Sequence, residues 1–341
     1  MTARLLLTMG DAAGIGPETI VRAFLAGALD GTVVVGDAAV MRRAARACGA
    51  PFLPLAVLQA PSDLHDVPAG ALPLVVPPEL PTDLAARPFG KVDAGCGRAG
   101  WRCIEYAVEC WRRDATLALV TAPVHKEALA EAGCPFPGHT EMLQHLAADG
   151  GALPPVRMML ANDELRVVLV TIHVALRRAI ELLSRESVLE TIVIAWQALR
   201  RFGLSSPRLA VAGLNPHAGE GGLFGDEELR IIAPAVEAAR AQGLDVTGPL
   251  APDTVFMRAR RTAARAGEFD AVVAMTHDHG LIPVKYLGVD QGVNLTLGLP
   301  FVRCSPDHGT AFDIAGRGIA DPASLRSALA LARRLADSGP R

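Results

Sequence analysis

Leu117–His125 reads LALVTAPVH, an apolar, strand-like run that closes on a histidine. The same design recurs in Val167–His173 (VVLVTIH), Leu209–His217 (LAVAGLNPH) and Ala271–His277 (AVVAMTH). Amphipathic stretches at helical spacing lie between such runs, and this alternation is the signature of α/β layers. In a parallel α/β sheet, ligands collect beyond the carboxyl ends of the strands. Histidines placed there from distant segments would converge on one cleft. Neutral imidazole is the commonest metal ligand, and three of them with an open position suit a catalytic zinc or related ion. One such histidine can do no more than cap a strand; four in equivalent places point to an enzyme.

Working outward, helical spacing predicts helices over Pro17–Ala28, Ala38–Cys48, Ala99–Arg112, Ser187–Arg201, Asp226–Gln242 and Pro322–Ala336. The proline-rich segment Pro51–Pro88 is expected to hold short strands joined by irregular turns. A chain of 341 residues exceeds the usual size of a single core, so two domains are expected. No polar linker separates them. That favours two α/β/α lobes that share strands or interleave, with a cleft between.

Composition narrows the class. No apolar run approaches the roughly 18 residues of a membrane span, and the short LLL near the N-terminus reads as a first strand. A net charge of −3 without a basic block gives no sign of nucleic-acid binding. Six cysteines lack metal-binding spacing. Cys96, Cys103 and Cys110 recur every seven residues and would line one side of a helix as buried thiols. A reduced, cytoplasmic enzyme is expected. Lys91, Lys126 and Lys285 are the only lysines in the chain. Lys126 follows His125 and Lys285 lies shortly past His277, so both are expected near the site, where a compact ammonium serves better than a guanidinium.

Two glycine motifs invite a nucleotide reading. Gly95-Cys96-Gly97-Arg98-Ala99-Gly100 matches GxGxxG, but no convincing strand precedes it and no acidic residue follows at the right distance. Its glycines are expected to serve a turn into a helix. The N-terminal turn is more telling: Leu5–Thr8 runs into Gly10-Asp11-Ala12-Ala13-Gly14-Ile15-Gly16-Pro17-Glu18. Pro17 fits the first helical position, and the glycines let the backbone approach a bound anion.

Near the other end lies Ser305–Pro322, SPDHGTAFDIAGRGIADP. Together with GD…GIGPE it resembles the paired signatures of the isocitrate/isopropylmalate dehydrogenase-like fold. Between them, TAPVHK (121–126), FPGHTEML (136–143), GLNPHAGEGGLFGDEE (213–228), GPLAPDTVF (248–256), HDHGLIPVKYLG (277–288) and GVNLTLGLPFVRCSPDHGTA (292–311) resemble the 4-hydroxythreonine-4-phosphate dehydrogenase family. The resemblance runs from about residue 5 to residue 320. It implies residues 1–125 with 290–341 as a cofactor-binding lobe and 126–289 as a metal-binding and dimerisation lobe.

By that resemblance His173, His217 and His277 hold a divalent metal, with ligands drawn from both protomers of a homodimer. His125 falls in TAPVHK and is not a ligand, so the four-way convergence is one too many. The implied substrate contacts are His139, Thr140, Lys285, Asn294 and Arg303, a set rich in charge for a phosphate and a carboxylate. His308, Gly309, Thr310, Ala311 and Asp321 are implied near NAD or NADP. Three positions depart from the family pattern: Ala12 for proline, His279 for glutamine and Cys304 for threonine.

The implied reaction is NAD(P)-dependent oxidation of a secondary alcohol β to a carboxylate, with the metal as Lewis acid. The family substrate is 4-phosphohydroxy-L-threonine, whose β-keto product decarboxylates to 3-amino-2-oxopropyl phosphate, a pyridoxal phosphate precursor. Lys126 and Asp253 are the candidate proton acceptors. The residues leave open Zn²⁺, Mg²⁺, Co²⁺ or Mn²⁺, and NAD or NADP. They also leave open a paralogue acting on 4-phospho-D-threonate, 4-phospho-D-erythronate or a dihydrodiol carboxylate, and more remotely a metal-dependent hydrolase or lyase.

Overall fold

A computed structural model of the chain describes residues 4–288 and 291–338. They form two compact units, residues 4–155 with 299–337 and residues 156–298. Both units are α/β.

The first unit begins with β1 (Leu5–Thr8), α1 (Gly16–Leu25), β2 (Thr32–Val35), α2 (Ala38–Ala47), β3 (Leu55–Leu58) and β4 (Leu72–Val75). It continues through α3 (Ala94–Arg113), β5 (Ala118–Thr121), α4 (Lys126–Glu131) and α5 (His139–Ala148). The chain then builds the second unit from β6 (Arg157–Ala161), β7 (Arg166–Leu169), α6 (Leu176–Leu182), α7 (Arg185–Arg201), β8 (Leu209–Ala212) and α8 (Ala233–Ala241). There follow β9 (Val246–Leu250), α9 (Val255–Ala259), β10 (Ala271–Ala274), α10 (His277–Tyr286) and β11 (Val293–Leu297). It returns to the first unit for β12 (Arg303–Pro306) and α11 (Ala323–Ser338).

Strands of the first unit lie in the order β3-β4-β2-β1-β5-β12, all parallel. Their sequences explain it. LLLT, TVVV and ALVT are buried at every position, as strands covered on both faces must be. The segment 126–155, which the family resemblance assigns to the metal lobe, packs in this unit, where α4 and α5 lie against α3.

Helix α3 corrects one expectation. It starts at Ala94 rather than Ala99 because Asp93 caps it, accepting the Cys96 N–H at 2.9 Å. The GxGxxG glycines therefore sit inside the helix instead of forming a turn before it. A Cβ on Gly97 would overlap the Ala128 carbonyl, and one on Gly100 would press on Val124. Glycine there lets α3 pack directly against backbone. Cys96, Cys103 and Cys110 line the buried side of α3, and burial pushes all three thiols up, Cys96 to about 12.

In the second unit the order is β11-β6-β7-β10-β8-β9, antiparallel from β11 to β7 and parallel from β7 to β9. Val167, Leu169, Ala210, Ala212, Val272 and Ala274 fill its core. Thus β7, β10 and β8, the three strands of this unit whose runs end in histidine, are parallel neighbours.

Candidate functional site

Strand geometry brings two of those histidines together. Beyond the ends of β7 and β10 the ladder continues, with Val170 N–H to the Ala274 carbonyl at 2.9 Å and Thr171 Oγ1 to the Met275 carbonyl at 2.8 Å. It delivers His173 and His277 with ring centroids 5.5 Å apart. His277 opens α10, and its Nδ1 lies 2.7 Å from Asp278 Oδ1. A carboxylate on one ring nitrogen fixes the tautomer and leaves the other nitrogen as a donor, the usual outer-shell arrangement of a ligating histidine.

His217 stands on a different device. Residues 217–221 all have positive φ, a left-handed turn that includes the non-glycine residues His217, Ala218 and Glu220. His173 (φ 39°) and Ala311 (φ 41°) share this backbone region. Such strain costs energy and gathers at functional sites. Among the described residues, however, no three His, Cys, Asp or Glu side chains come close enough to hold a metal ion. One chain assembles the His173–His277 pair; His217 is apart from it, beside Phe224. Imidazole nitrogens suit a divalent ion, and of the three expected histidines the described residues bring two together.

The first unit holds a buried cation where the start of β12 meets the carboxyl end of β5. Arg303 is 5% exposed and donates from Nη2 to Thr121 Oγ1 at 2.7 Å. Burial lowers its pKa to about 10, which still leaves it charged at neutral pH. His139, the first residue of α5, is pushed down to about 3 by burial and then by the Arg303 charge. Its ring is hydrogen-bonded to the Ala122 backbone, and Nε2 is buried without a partner among the described residues. The neutral imidazole beside the buried guanidinium adds no charge of its own. Thr140 follows His139, half-buried.

The two signature segments meet in this unit. Ile15 N–H donates to the Thr310 carbonyl at 3.0 Å, and Gly14 leaves room for the Thr310 side chain. Glu18, fully buried, accepts the N–H groups of Gly316 and Gly318, the latter at 2.7 Å. So the N-terminal turn clamps the loop after His308. His308 Nε2 is buried and unpartnered among the described residues, and Gly309 is open around its Cα. These features suit a bound polar ligand at 308–311. Asp321 is exposed, and its Oδ1 accepts the Ala323 N–H at the start of α11.

Other expected residues are placed less tellingly. His125 stacks on Phe312, with centroids 4.6 Å apart. Lys126 is exposed at the start of α4, and Asp253 is exposed in the turn before α9. Lys285 lies in the last turn of α10, about 12 Å along the axis from His277. Asn294 pairs with Leu160 across β11 and β6. His279 is half-buried, and burial lowers its pKa. Sequence reasoning missed Glu18, Thr121, Glu228 and Asp278, though each lies inside or beside a motif it had singled out.

A histidine pair at the ends of neighbouring parallel strands and a buried arginine in an α/β framework are the features of a small-molecule enzyme. Residues 28–332 match the family model "Pyridoxal phosphate biosynthetic protein PdxA". The chain is 50% identical to a 4-hydroxythreonine-4-phosphate dehydrogenase of Beijerinckia indica, over 97% of this chain and 94% of that one. It is 48% identical to a D-threonate 4-phosphate dehydrogenase of Cupriavidus necator, over 97% and 96%. A solved 4-hydroxythreonine-4-phosphate dehydrogenase of Klebsiella pneumoniae superposes with a TM-score of 0.87 at 43% identity, covering 98% of both chains. The chain belongs to the PdxA family and is an oxidoreductase, a dehydrogenase. That removes the hydrolase and lyase alternative. No helix among the described residues is long and apolar enough to cross a membrane.

Proposed function

We propose that this dehydrogenase oxidises the secondary alcohol of a phosphorylated β-hydroxy acid, with 4-phosphohydroxy-L-threonine as its substrate. The observation that carries the reading is the His173–His277 pair at the ends of neighbouring parallel strands. When bound, the divalent ion would polarise the alcohol oxygen while NAD(P) accepts hydride. His173, His277 and His217 would hold that ion, with the set completed between two copies of the chain. Exposed apolar side chains on the histidine-bearing unit support a homodimer: Leu176 at 65%, Leu223 at 74%, Ile282 at 65% and Tyr286 at 89%.

Arg303 would grip a substrate anion through its planar fork, and Lys285 would supply a second positive charge. His139, neutral and presenting Nε2, would hydrogen-bond a substrate polar group. Thr140 and Asn294 would orient hydroxyl groups. His308 to Ala311 would line the cofactor, with Asp321 close by, and Glu18 would hold that loop in place. Lys126 and Asp253 are exposed, and the Lys126 charge acts on His139, so Lys126 is the candidate proton acceptor nearer the anion-binding residues. Six free cysteines and a role in small-molecule metabolism support a reduced, cytoplasmic setting.

The second reading, oxidation of D-threonate 4-phosphate or a related phosphosugar acid, is favoured by the similarity to the Cupriavidus enzyme. An NAD- and NADP-reduction screen separates the two. We expect turnover of 4-phosphohydroxy-L-threonine to exceed that of 4-phospho-D-threonate and 4-phospho-D-erythronate, and a chelator to abolish it. Preferred turnover of a phosphosugar acid establishes the second reading instead.

A further inference from the structure

We propose that Glu228 is a positioning residue for His217, holding the loop that presents this imidazole to the metal. The inference rests on His217 being a metal ligand, as proposed above. Glu228 opens a five-residue π-helical segment, Glu228–Ile232, and is 2% exposed. Its Oε1 accepts the N–H groups of Leu214 and Asn215, both at 2.7 Å. Oε2 accepts Asn215 Nδ2 at 2.9 Å, and the same amide nitrogen reaches Glu227 Oε2 at 2.7 Å. A buried carboxylate is thereby satisfied entirely by donors of the segment just before His217.

The surroundings are shaped to the carboxylate. A Cβ on Gly219 would intrude on Oε2, and one on Gly213 would crowd Oε1. Glycine at both positions lets the loop close over Glu228 from two sides. The loop then runs through the left-handed turn 217–221, a conformation that persists only where its surroundings over-determine it. Single-turn π segments inside helices recur at functional sites. Here the wider turn lies where the Glu228 side chain meets the loop. Charge-assisted bonds to backbone N–H are strong and directional, so the carboxylate fixes the path of residues 214–216 and with it the origin of the His217 side chain.

The test is metal affinity of the purified full-length chain, measured with Mn²⁺ and Zn²⁺ by competition against a chromophoric chelator. Wild type, His217→Ala and Glu228→Gln are compared, with hydrogen exchange at the Leu214 and Asn215 amides as a second readout. In Glu228→Gln the side-chain NH₂ opposes N–H donors, so one acceptor is lost with little change in volume. We expect His217→Ala to lose binding, and Glu228→Gln to bind 10- to 100-fold more weakly with faster exchange at both amides. The KM for NAD(P) is expected to stay as in wild type. Wild-type affinity in Glu228→Gln beside a binding-deficient His217→Ala overturns the positioning role alone. Wild-type affinity in His217→Ala overturns both readings. Should Glu228→Gln fail to fold, Asn215→Ala keeps the carboxylate but removes the Nδ2 bonds; about threefold weaker binding supports the role, and wild-type affinity overturns it.

Discussion

Arg303 and Thr121 are joined by a buried hydrogen bond, Nη2 to Oγ1 at 2.7 Å, that links the first residue of β12 to the last residue of β5. Parallel pairing sets the two side by side, with Arg303 opposite Leu119 in the register. A guanidinium held so rigidly loses little freedom when it meets an anion, and its remaining N–H groups keep a fixed fork. Lysine keeps the charge but loses the fork. Arg303→Lys should therefore raise KM for the phosphorylated substrate by roughly 10- to 100-fold, the scale of one charge-assisted hydrogen bond. The KM for NAD(P) should change little. Steady-state kinetics with each reactant varied in turn measures both, and an unaltered substrate KM would remove Arg303 from anion binding.

His139 makes stability depend on pH in a definite direction. Its pKa in the fold, about 3, lies below the ordinary 6.5, chiefly because of burial and then Arg303. Above pH 6.5 both folded and unfolded chains carry the neutral ring. Between 6.5 and about 3 the unfolded chain binds a proton that the folded chain refuses, so stability falls as pH falls, by up to about 1.4 kcal/mol per pH unit. His279, lowered by burial, acts in the same sense. Comparison with His139→Asn isolates one ring. Urea unfolding at pH 7 and pH 5 should show a smaller loss in the variant than in wild type; equal losses would mean that His139 protonates freely in the fold.

Much of this was legible in the sequence, for reasons tied to particular residues. The runs at 117–125, 167–173, 209–217 and 271–277 read as strands because unbroken apolar residues suit strands covered on both faces, and all four are strands. The residues that hold the site in place were harder to see. Glu18 and Glu228 sit among motifs rich in charge, and nothing in composition distinguishes a carboxylate that accepts backbone N–H groups from one facing solvent. Asp93 shows the same limit: its cap starts α3 at Ala94, five residues before helical periodicity becomes visible, which turned a helical glycine pattern into an expected turn.

Asp278 offers a direct probe of the proposed metal ligands. Its Oδ1 lies 2.7 Å from His277 Nδ1, so it orients the ring and raises its basicity. Asp278→Asn keeps the size and one acceptor but removes the charge. We expect divalent-ion affinity to fall about 10- to 100-fold, with activity recovered at higher metal concentration. Titration of the chelator-treated protein with Mn²⁺, followed by both binding and turnover, checks this. Affinity equal to wild type would show that the Asp278 contact is incidental to the site.

Gly97 separates a cofactor motif from a packing motif. If Gly95–Gly100 cradled a pyrophosphate, substitution there would strike NAD(P) binding first. In the fold Gly97 instead faces the Ala128 carbonyl, with no room for a methyl group. That neighbour is backbone of α4, which cannot swing aside as a side chain would. Gly97→Ala should therefore force α3 and α4 apart and destabilise the protein by about 1–3 kcal/mol, partly offset by alanine's better helix propensity. The folded variant should keep its KM for NAD(P) within about twofold, since the cost falls on helix packing rather than on binding. Denaturant unfolding and cofactor kinetics on the same preparation decide between the two: a large rise in cofactor KM without loss of stability would restore the nucleotide-binding reading of this segment.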